Sequence, residues 1–66
     1  MREYVVGYYN KAVAKDAFVI LATMDSKNVA MFVRNSYNNA YKEVGITTET
    51  VLLASRDIPK NYRFSE

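Results

Sequence analysis

Residues 27–44, KNVAMFVRNSYNNAYKEV, form the most regular periodic stretch of the chain and decide its predicted fold. Apolar and small side chains recur there at spacings of three and four, which places them on one side of a helix. The members of this side are Val29, Phe32, Val33, Ser36, Tyr37, Ala40, Tyr41 and Val44. The pattern predicts one long helix, and its expected core residues are Val29, Phe32, Val33 and Ala40.

Both ends of this helix carry boundary signals. Asp25 or Ser26 can serve as the N-cap, because a short side-chain oxygen accepts hydrogen bonds from the first free N–H groups. Gly45 follows the last apolar position, where a left-handed cap suits a residue without Cβ. Start, period and end therefore agree.

The opposite side of the helix is polar and contains no carboxylate. Its members are Lys27, Asn28, Met31, Arg34, Asn35, Asn38, Asn39 and Lys42. A solvated helix usually pairs Glu with Lys at i, i+4, which contributes about 0.2–0.5 kcal/mol per pair, and Asn is a mediocre helix former because its amide competes for backbone groups. This side is a candidate binding surface, and an ordinary solvated face of a small basic protein is the alternative.

Three other segments are rich in β-branched and aromatic residues and predict strands. They are residues 4–9 (YVVGYY), 17–23 (AFVILAT) and 46–55 (ITTETVLLAS). Gly7, in the middle of the first, indicates a bulge or the close approach of a neighbouring element.

The remaining segments predict connections. Residues 10–16 are expected to form a hairpin loop, and a helix beginning near Lys11 is the alternative. Residues 56–66, RDIPKNYRFSE, are expected to form a basic and aromatic tail. Pro59 lacks an N–H and has a fixed φ, so regular structure is expected to stop before it.

The order of elements is therefore β-β-α-β in a single small domain of the α+β class, residues 1–66. A right-handed crossover from strand two to strand three gives a three-stranded antiparallel sheet of order 2-1-3, with the helix packed on one face. Placing strand three parallel to strand two is the alternative.

The second strand is apolar on both faces, which one helix cannot cover. Strict alternation puts Phe18, Ile20 and Ala22 on one face and Val19 and Leu21 on the other. We therefore expect an open sheet face that meets a partner or a second copy of the chain.

Composition argues against catalysis. The 66 residues include no Cys and no His, which excludes disulfides, ordinary zinc sites, imidazole bases and thiolate nucleophiles. The carboxylates are scattered, and two Gly cannot make a phosphate-cradling loop. We expect no enzyme, no metal and no cofactor. The net charge of +2 and the pI near 9.0 permit an anionic partner without requiring one.

The sequence also predicts a cytoplasmic location. No apolar run approaches the ~20 residues that a membrane helix needs, and the first ten residues lack the layout of a signal peptide. The chain begins with Met and shows no tag or linker, which is typical of a complete small gene product.

Six Tyr in so short a chain favour an interface, because Tyr offers large area and a polar tip. The candidates for exposure are Tyr62 and either Tyr8 or Tyr9. In the tail, Arg63 lies between two aromatic residues, a pattern that can bind single-stranded nucleic acid by stacking and phosphate contacts. Asn and Arg on a helix can also contact bases in a major groove.

The predicted layout is similar to that of several tiny phage-encoded inhibitors, in which one helix lies on a three-stranded sheet that masks a host enzyme or defence complex. The resemblance concerns the fold alone and implies an inhibitor. We therefore expect a small non-enzymatic protein-binding module. The alternatives are a nucleic-acid-binding protein using the polar helix side and the tail, and a homo-oligomeric structural protein. The candidate partner-binding residues are Lys27, Met31, Arg34, Asn35, Asn38, Lys42, Tyr9, Tyr62 and Arg63.

Overall fold

A computed structural model describes residues 1–65 and has a helix packed on one mixed β-sheet. Its elements are β1 (Tyr4–Tyr9), β2 (Phe18–Met24), α1 (Lys27–Glu43), β3 (Val51–Ala54), a single 3₁₀ turn (Ser55–Asp57) and β4 (Tyr62–Phe64). The strand order is β3-β1-β2-β4. The α+β class and the order 2-1-3 of the first three strands are confirmed. The predicted sheet has three strands, whereas the observed sheet has four.

Strand β1 lies between β2 and β3 and is antiparallel to both. The loop between β1 and β2 is a hairpin, because the N–H of Asn10 donates to the carbonyl oxygen of Ala17 at 2.8 Å. Within it, the N–H groups of Val13 and Ala14 donate to the carbonyl of Asn10 at 3.0 and 3.3 Å. The hairpin prediction is confirmed, and the alternative helix is not formed.

A bulge interrupts the pairing of β1 with β2. Val6 lies opposite Ala22, whereas Gly7 lies opposite Ile20, so Leu21 is the extra residue on β2. A Cβ at Gly7 would collide with the carbonyl oxygen of Val19. The expected bulge or close approach at Gly7 is thus confirmed in both forms.

The bulge changes which residues of β2 share a face. Phe18 and Ile20 pack with Val5 on the side away from α1. Ala22 and Met24 instead pack on the helix side. The prediction that Phe18, Ile20 and Ala22 share one face is therefore wrong, since an inserted residue reverses the alternation beyond it.

Both faces of the sheet are covered within one chain. On the side away from α1, Ile58 packs against Phe18 and Ile20, each only 1% exposed. Ile58 belongs to the connection that leads from β3 at one edge of the sheet to β4 at the other. Val19 is also buried. The expectation of an open sheet face is therefore wrong, and homodimer formation stays a prediction.

The predicted C-terminal tail is also incorrect, because residues 62–64 form β4, parallel to β2. The N–H of Phe18 donates to the carbonyl of Asn61 at 2.9 Å, and the N–H of Ser65 donates to the carbonyl of Ile20 at 2.8 Å. Pro59 lies before this strand and so removes no donor from it. The predicted third strand, residues 46–55, shortens to β3.

Helix α1 matches its predicted boundaries to within one residue. The side chain of Ser26 accepts from the N–H of Val29 at 3.3 Å, whereas Asp25 accepts from the N–H of Glu3 and supports the start of β1. At the other end Gly45 has φ of 77°. The N–H of Ile46 donates to the carbonyl of Tyr41 at 2.8 Å, which is the 6→1 hydrogen bond of a Schellman cap.

Candidate partner-binding surfaces

Helix α1 presents a different side to the sheet from the one predicted. Ala30 is its buried residue, and a half-buried set accompanies it: Val33, Arg34, Tyr37, Asn38 and Tyr41. Phe32 is 72% exposed, Val29 is 50% exposed, and Ala40 is also exposed. The prediction that Val29, Phe32 and Ala40 lie in the core is therefore wrong, and Val33 is only half-buried.

The rotation of the helix has a visible cause at Thr50, a polar residue that is 1% exposed. The Oδ1 atom of Asn38 accepts from the N–H of Thr50 at 2.8 Å. The Nδ2 atom of Asn38 donates to the carbonyl oxygen of Thr50 at 3.4 Å. The Thr50 hydroxyl lies 2.7 Å from Asn38 Oδ1 and 3.1 Å from the carbonyl oxygen of Arg34, and its one hydrogen donates to either. These bonds hold the amide side of α1 against the chain just before β3.

The consequence is an exposed apolar surface, which we call the apolar flank. It consists of Val29, Phe32, Ser36, Ala40 and Val44, all exposed. Beside it is a shallow depression of about 250 Å³, lined by Phe32, Val33, Ser36, Tyr37 and Ala40. Because Val29, Phe32 and Ala40 were predicted to lie in the core, the apolar flank was missed as a candidate site.

The predicted polar site lies on the other side of the helix, beside β3, and is only partly available. Lys27, Met31, Asn35 and Lys42 are exposed. Arg34 is half-buried. Its guanidinium donates to Asn35 Oδ1, from Nε at 3.3 Å and from a terminal nitrogen at 3.1 Å.

Asn38, the remaining residue of the predicted polar site, is hydrogen-bonded to Thr50 and acts as a structural residue. Glu49 lines the same depression as Asn38 and Lys42. The fold therefore adds a carboxylate to a helix side that lacks one in sequence.

The other three predicted site residues lie elsewhere. The ring of Tyr9 packs edge-on against Phe18, with centroids 5.0 Å apart. Tyr62 and Arg63 lie in β4, at the edge of the sheet opposite β3. Three strand spacings, about 14 Å, separate those edges. The structure therefore does not join the polar helix side and the C-terminal residues into one surface.

Strand β4 is itself an exposed edge. Tyr62, Arg63 and Phe64 are all exposed. The rings of Tyr62 and Phe64 lie 6.1 Å apart in an edge-to-face arrangement. Phe64 is a further exposed residue that the predicted site lacked, although its neighbours Tyr62 and Arg63 were in it.

Tyr8, Tyr37 and Tyr41 lie close together between α1 and the sheet. Burial raises the pKa of Tyr41 above its usual value, and the neighbouring Tyr8 and Tyr37 raise it further. Tyr37 and Tyr41 also pack edge-to-face, with centroids 5.9 Å apart. Since a raised pKa keeps the phenol protonated near neutral pH, Tyr41 contributes apolar area and a hydroxyl rather than a phenolate.

Within residues 1–65, no group of three or more acidic, His or Cys side chains is placed to hold a metal ion. The helix of this same region is too short and too polar to cross a bilayer. Comparison with known protein families, curated proteins and solved structures finds no match. The exposed surfaces of the chain itself are therefore the features that bear on its function.

Proposed function

We propose that this protein is a small non-enzymatic binding module that acts by occupying a surface of a protein partner through the apolar flank. The observation that carries the proposal is the exposure of Phe32, at 72%, on a helix that packs on the sheet through Ala30, Val33 and Tyr37 instead. A chain of 66 residues has few large apolar side chains for its core. Leaving Phe32 and Val29 outside favours a use for them at an interface.

The geometry suits a helix that docks into a groove. Val29, Phe32, Ser36 and Ala40 follow the three- and four-residue spacing by which one helix face presents anchors to a partner. Ser36 and Ala40 are small, so a partner can approach the helix closely beside the Phe32 ring. Fully burying a Phe side chain contributes about 1.5–3 kcal/mol. The helix is already formed and capped at both ends, which lowers the ordering cost of binding.

The partner we propose is therefore a protein with an apolar groove. The sequence without His or Cys supports a non-catalytic role. Occupying a groove that another protein uses is also how the inhibitor role implied by the fold resemblance would operate, and we include that role in the proposal.

Phe32→Ala tests this proposal. Because Phe32 is mostly exposed, the free energy of unfolding should change by no more than about 0.5 kcal/mol. Loss of a buried aromatic anchor should weaken partner binding at least about tenfold, or ~1.4 kcal/mol. The protein is captured from extract of its source cells, with nuclease added, and affinity is then measured by calorimetry on the purified partner.

Met31→Ala is the matched control. Met31 is an exposed apolar residue next to Phe32 in sequence but lies on the polar side of α1. It should bind the partner as the wild type does. Equal affinity of Phe32→Ala and wild type, or equal losses in both variants, would reject the apolar flank as the contact.

Nucleic-acid binding is the second candidate, favoured by the exposure of Lys27 and Lys42 on one side of α1. The triple variant Lys27→Ala, Arg34→Ala, Lys42→Ala separates the two functions. Each phosphate contact removed should flatten the log–log salt dependence of duplex binding by about 0.9. Arg34 is folded onto Asn35, so a nucleic-acid site here would lose about two contacts rather than three.

We expect instead that the triple variant binds the same protein partner with unchanged affinity. The measurements are calorimetry with the purified partner and a salt titration with mixed-sequence DNA and RNA. A fall in the salt slope by about two, together with loss of nucleic-acid binding, would establish the second candidate over the first.

A further inference from the structure

Strand β4 has an unpaired backbone edge. Among residues 1–65 it pairs only with β2, through Asn61 and Ser65 on either side of the strand. Backbone N–H and C=O groups alternate in direction along a strand, so those of Tyr62 and Phe64 point away from β2. Such an edge is a template for another strand, and proteins usually shorten, charge or cover it.

The opposite edge of the sheet, formed by β3, is partly covered by α1. Just before β3, the Asn38 amide binds both the N–H and the carbonyl of Thr50, in the way that a neighbouring strand would. Arg34 and Asn35 line a depression with the following residues of β3, including Leu52. Helix α1 therefore closes part of the β3 edge, whereas its main contacts are with β1, β2 and β3 and not β4.

The side chains of β4 define what could pair with it. In the parallel register Tyr62 matches Phe18 and Phe64 matches Ile20, which places both rings on the sheet face away from α1. They are 42% and 56% exposed. Arg63 matches Val19 and lies on the other face. Lys60 and Arg63 give this edge two basic side chains, whereas the Asp16 carboxylate lies beside Asn61 just before the strand.

From this geometry we propose that the β4 edge binds an extended, acidic segment of a partner protein as a fifth strand. The added strand places an Asp or Glu beside Arg63 and apolar side chains beside Tyr62 and Phe64. Main-chain hydrogen bonds to Tyr62 and Phe64 supply affinity, and the side-chain pairs supply specificity. This surface is separate from the apolar flank and does not depend on it.

A second copy of the chain is the less suitable occupant. The two-fold antiparallel pairing that uses all three β4 residues sets Tyr62 against Phe64 of the other copy. It also sets Arg63 directly against Arg63, and like charges in directly opposite positions are destabilising. An acidic segment converts the same position into an attractive pair.

Panning of a random linear-peptide library tests the proposal, using wild type, Arg63→Glu and Phe64→Pro. Phe64→Pro removes an outward N–H while leaving the bonds of Asn61 and Ser65 to β2, and Pro is tolerated on edge strands. Phe64→Ala is the matched control, because it removes the ring and keeps the N–H. If Phe64→Pro does not fold, a synthetic chain with N-methylated Phe64 replaces it.

We expect wild type to enrich peptides that alternate apolar residues with Asp or Glu, and Arg63→Glu to enrich Lys or Arg instead. A selected acidic peptide should slow amide exchange at Tyr62 and Phe64. It should bind Phe64→Pro at least about tenfold more weakly than Phe64→Ala. The same peptide should bind Phe32→Ala as it binds wild type.

The proposal would be overturned by no enrichment, by enrichment unaffected by charge reversal at Arg63, or by selected peptides that bind Phe64→Pro normally. A peptide that requires Phe32 would place binding on the apolar flank and also overturn it. Each of these results leaves the Phe32→Ala test of the proposed function intact, since that test uses a different surface and a different partner.

Discussion

Gly7→Ala should strongly destabilise the protein. The added Cβ would collide with the carbonyl oxygen of Val19 and would lie 2.7 and 2.9 Å from two ring carbons of Phe18. Phe18 is buried and cannot move aside without disturbing the cluster around Ile20. The Val19 carbonyl belongs to the β2 backbone beside the bulge, so relief requires β1 and β2 to separate locally.

The expected cost is about 3–5 kcal/mol, at the upper end of overpacking effects because a backbone atom is involved. A 66-residue domain has a total stability of about 3–10 kcal/mol at usual per-residue values. Urea denaturation followed by far-UV circular dichroism measures the change. A cooperative transition at the wild-type midpoint would contradict the collision.

Gly45→Ala is the control, because Gly45 is required by its backbone conformation, whereas Gly7 is required by lack of space for a Cβ. Its φ is 77° and nothing lies within 4 Å of the position where a Cβ would be. Alanine there should cost about 1–2 kcal/mol through backbone conformation alone. Replacing Gly45 by D-alanine, which favours positive φ, should remove that cost. D-alanine at a position limited by space would give no such relief.

Local signals in the sequence predicted the local structure well. Ser26, Gly45 and the period between them fix the helix boundaries through short-range hydrogen bonds and backbone conformation. Gly7 indicated the bulge because glycine inside a strand pattern is a local sign of one, although the backbone that it meets belongs to Val19 on the next strand. The hairpin between β1 and β2 likewise closes over a few residues, beginning at Asn10 and ending at Ala17.

The orientation of the helix could not be predicted in this way. By apolar period alone, Phe32 belongs in the core and Asn38 on the surface. The structure reverses them because Thr50, 12 residues later, is buried and needs a partner for its N–H. Only a long-range contact decides between the two orientations, and no local pattern near Asn38 signals it.

The role of residues 55–64 also depends on a long-range arrangement. Their basic and aromatic composition predicted a tail, and Pro59 supported that interpretation. The structure uses Ile58 to cover the sheet and Tyr62–Phe64 to extend it. The surplus of apolar residues on β2 was a correct signal that something covers both faces. The covering segment is the chain's own C-terminal region rather than a partner.

Asn38→Ala should lower the free energy of unfolding by about 2–3 kcal/mol, far more than a surface amide on a helix would. The substitution leaves the buried N–H of Thr50 without its acceptor, and an unsatisfied buried group costs about 1–3 kcal/mol. The Thr50 hydroxyl keeps the Arg34 carbonyl as a partner at 3.1 Å, which limits the loss. Alanine is the better helix former, so intrinsic helix propensity acts in the opposite direction.

Asn35→Ala is the matched control, since Asn35 is an exposed amide one turn away whose side-chain hydrogen bonds within residues 1–65 are with Arg34. It should change stability by no more than about 0.5 kcal/mol. A double-mutant cycle with Thr50→Val should give a coupling energy of about 1 kcal/mol or more between positions 38 and 50, because the hydroxyl and the amide share one network. Equal, small effects of Asn38→Ala and Asn35→Ala would return Asn38 to the surface. In that case the helix would be free to turn, Phe32 would move toward the core, and the apolar flank would cease to exist as a binding surface.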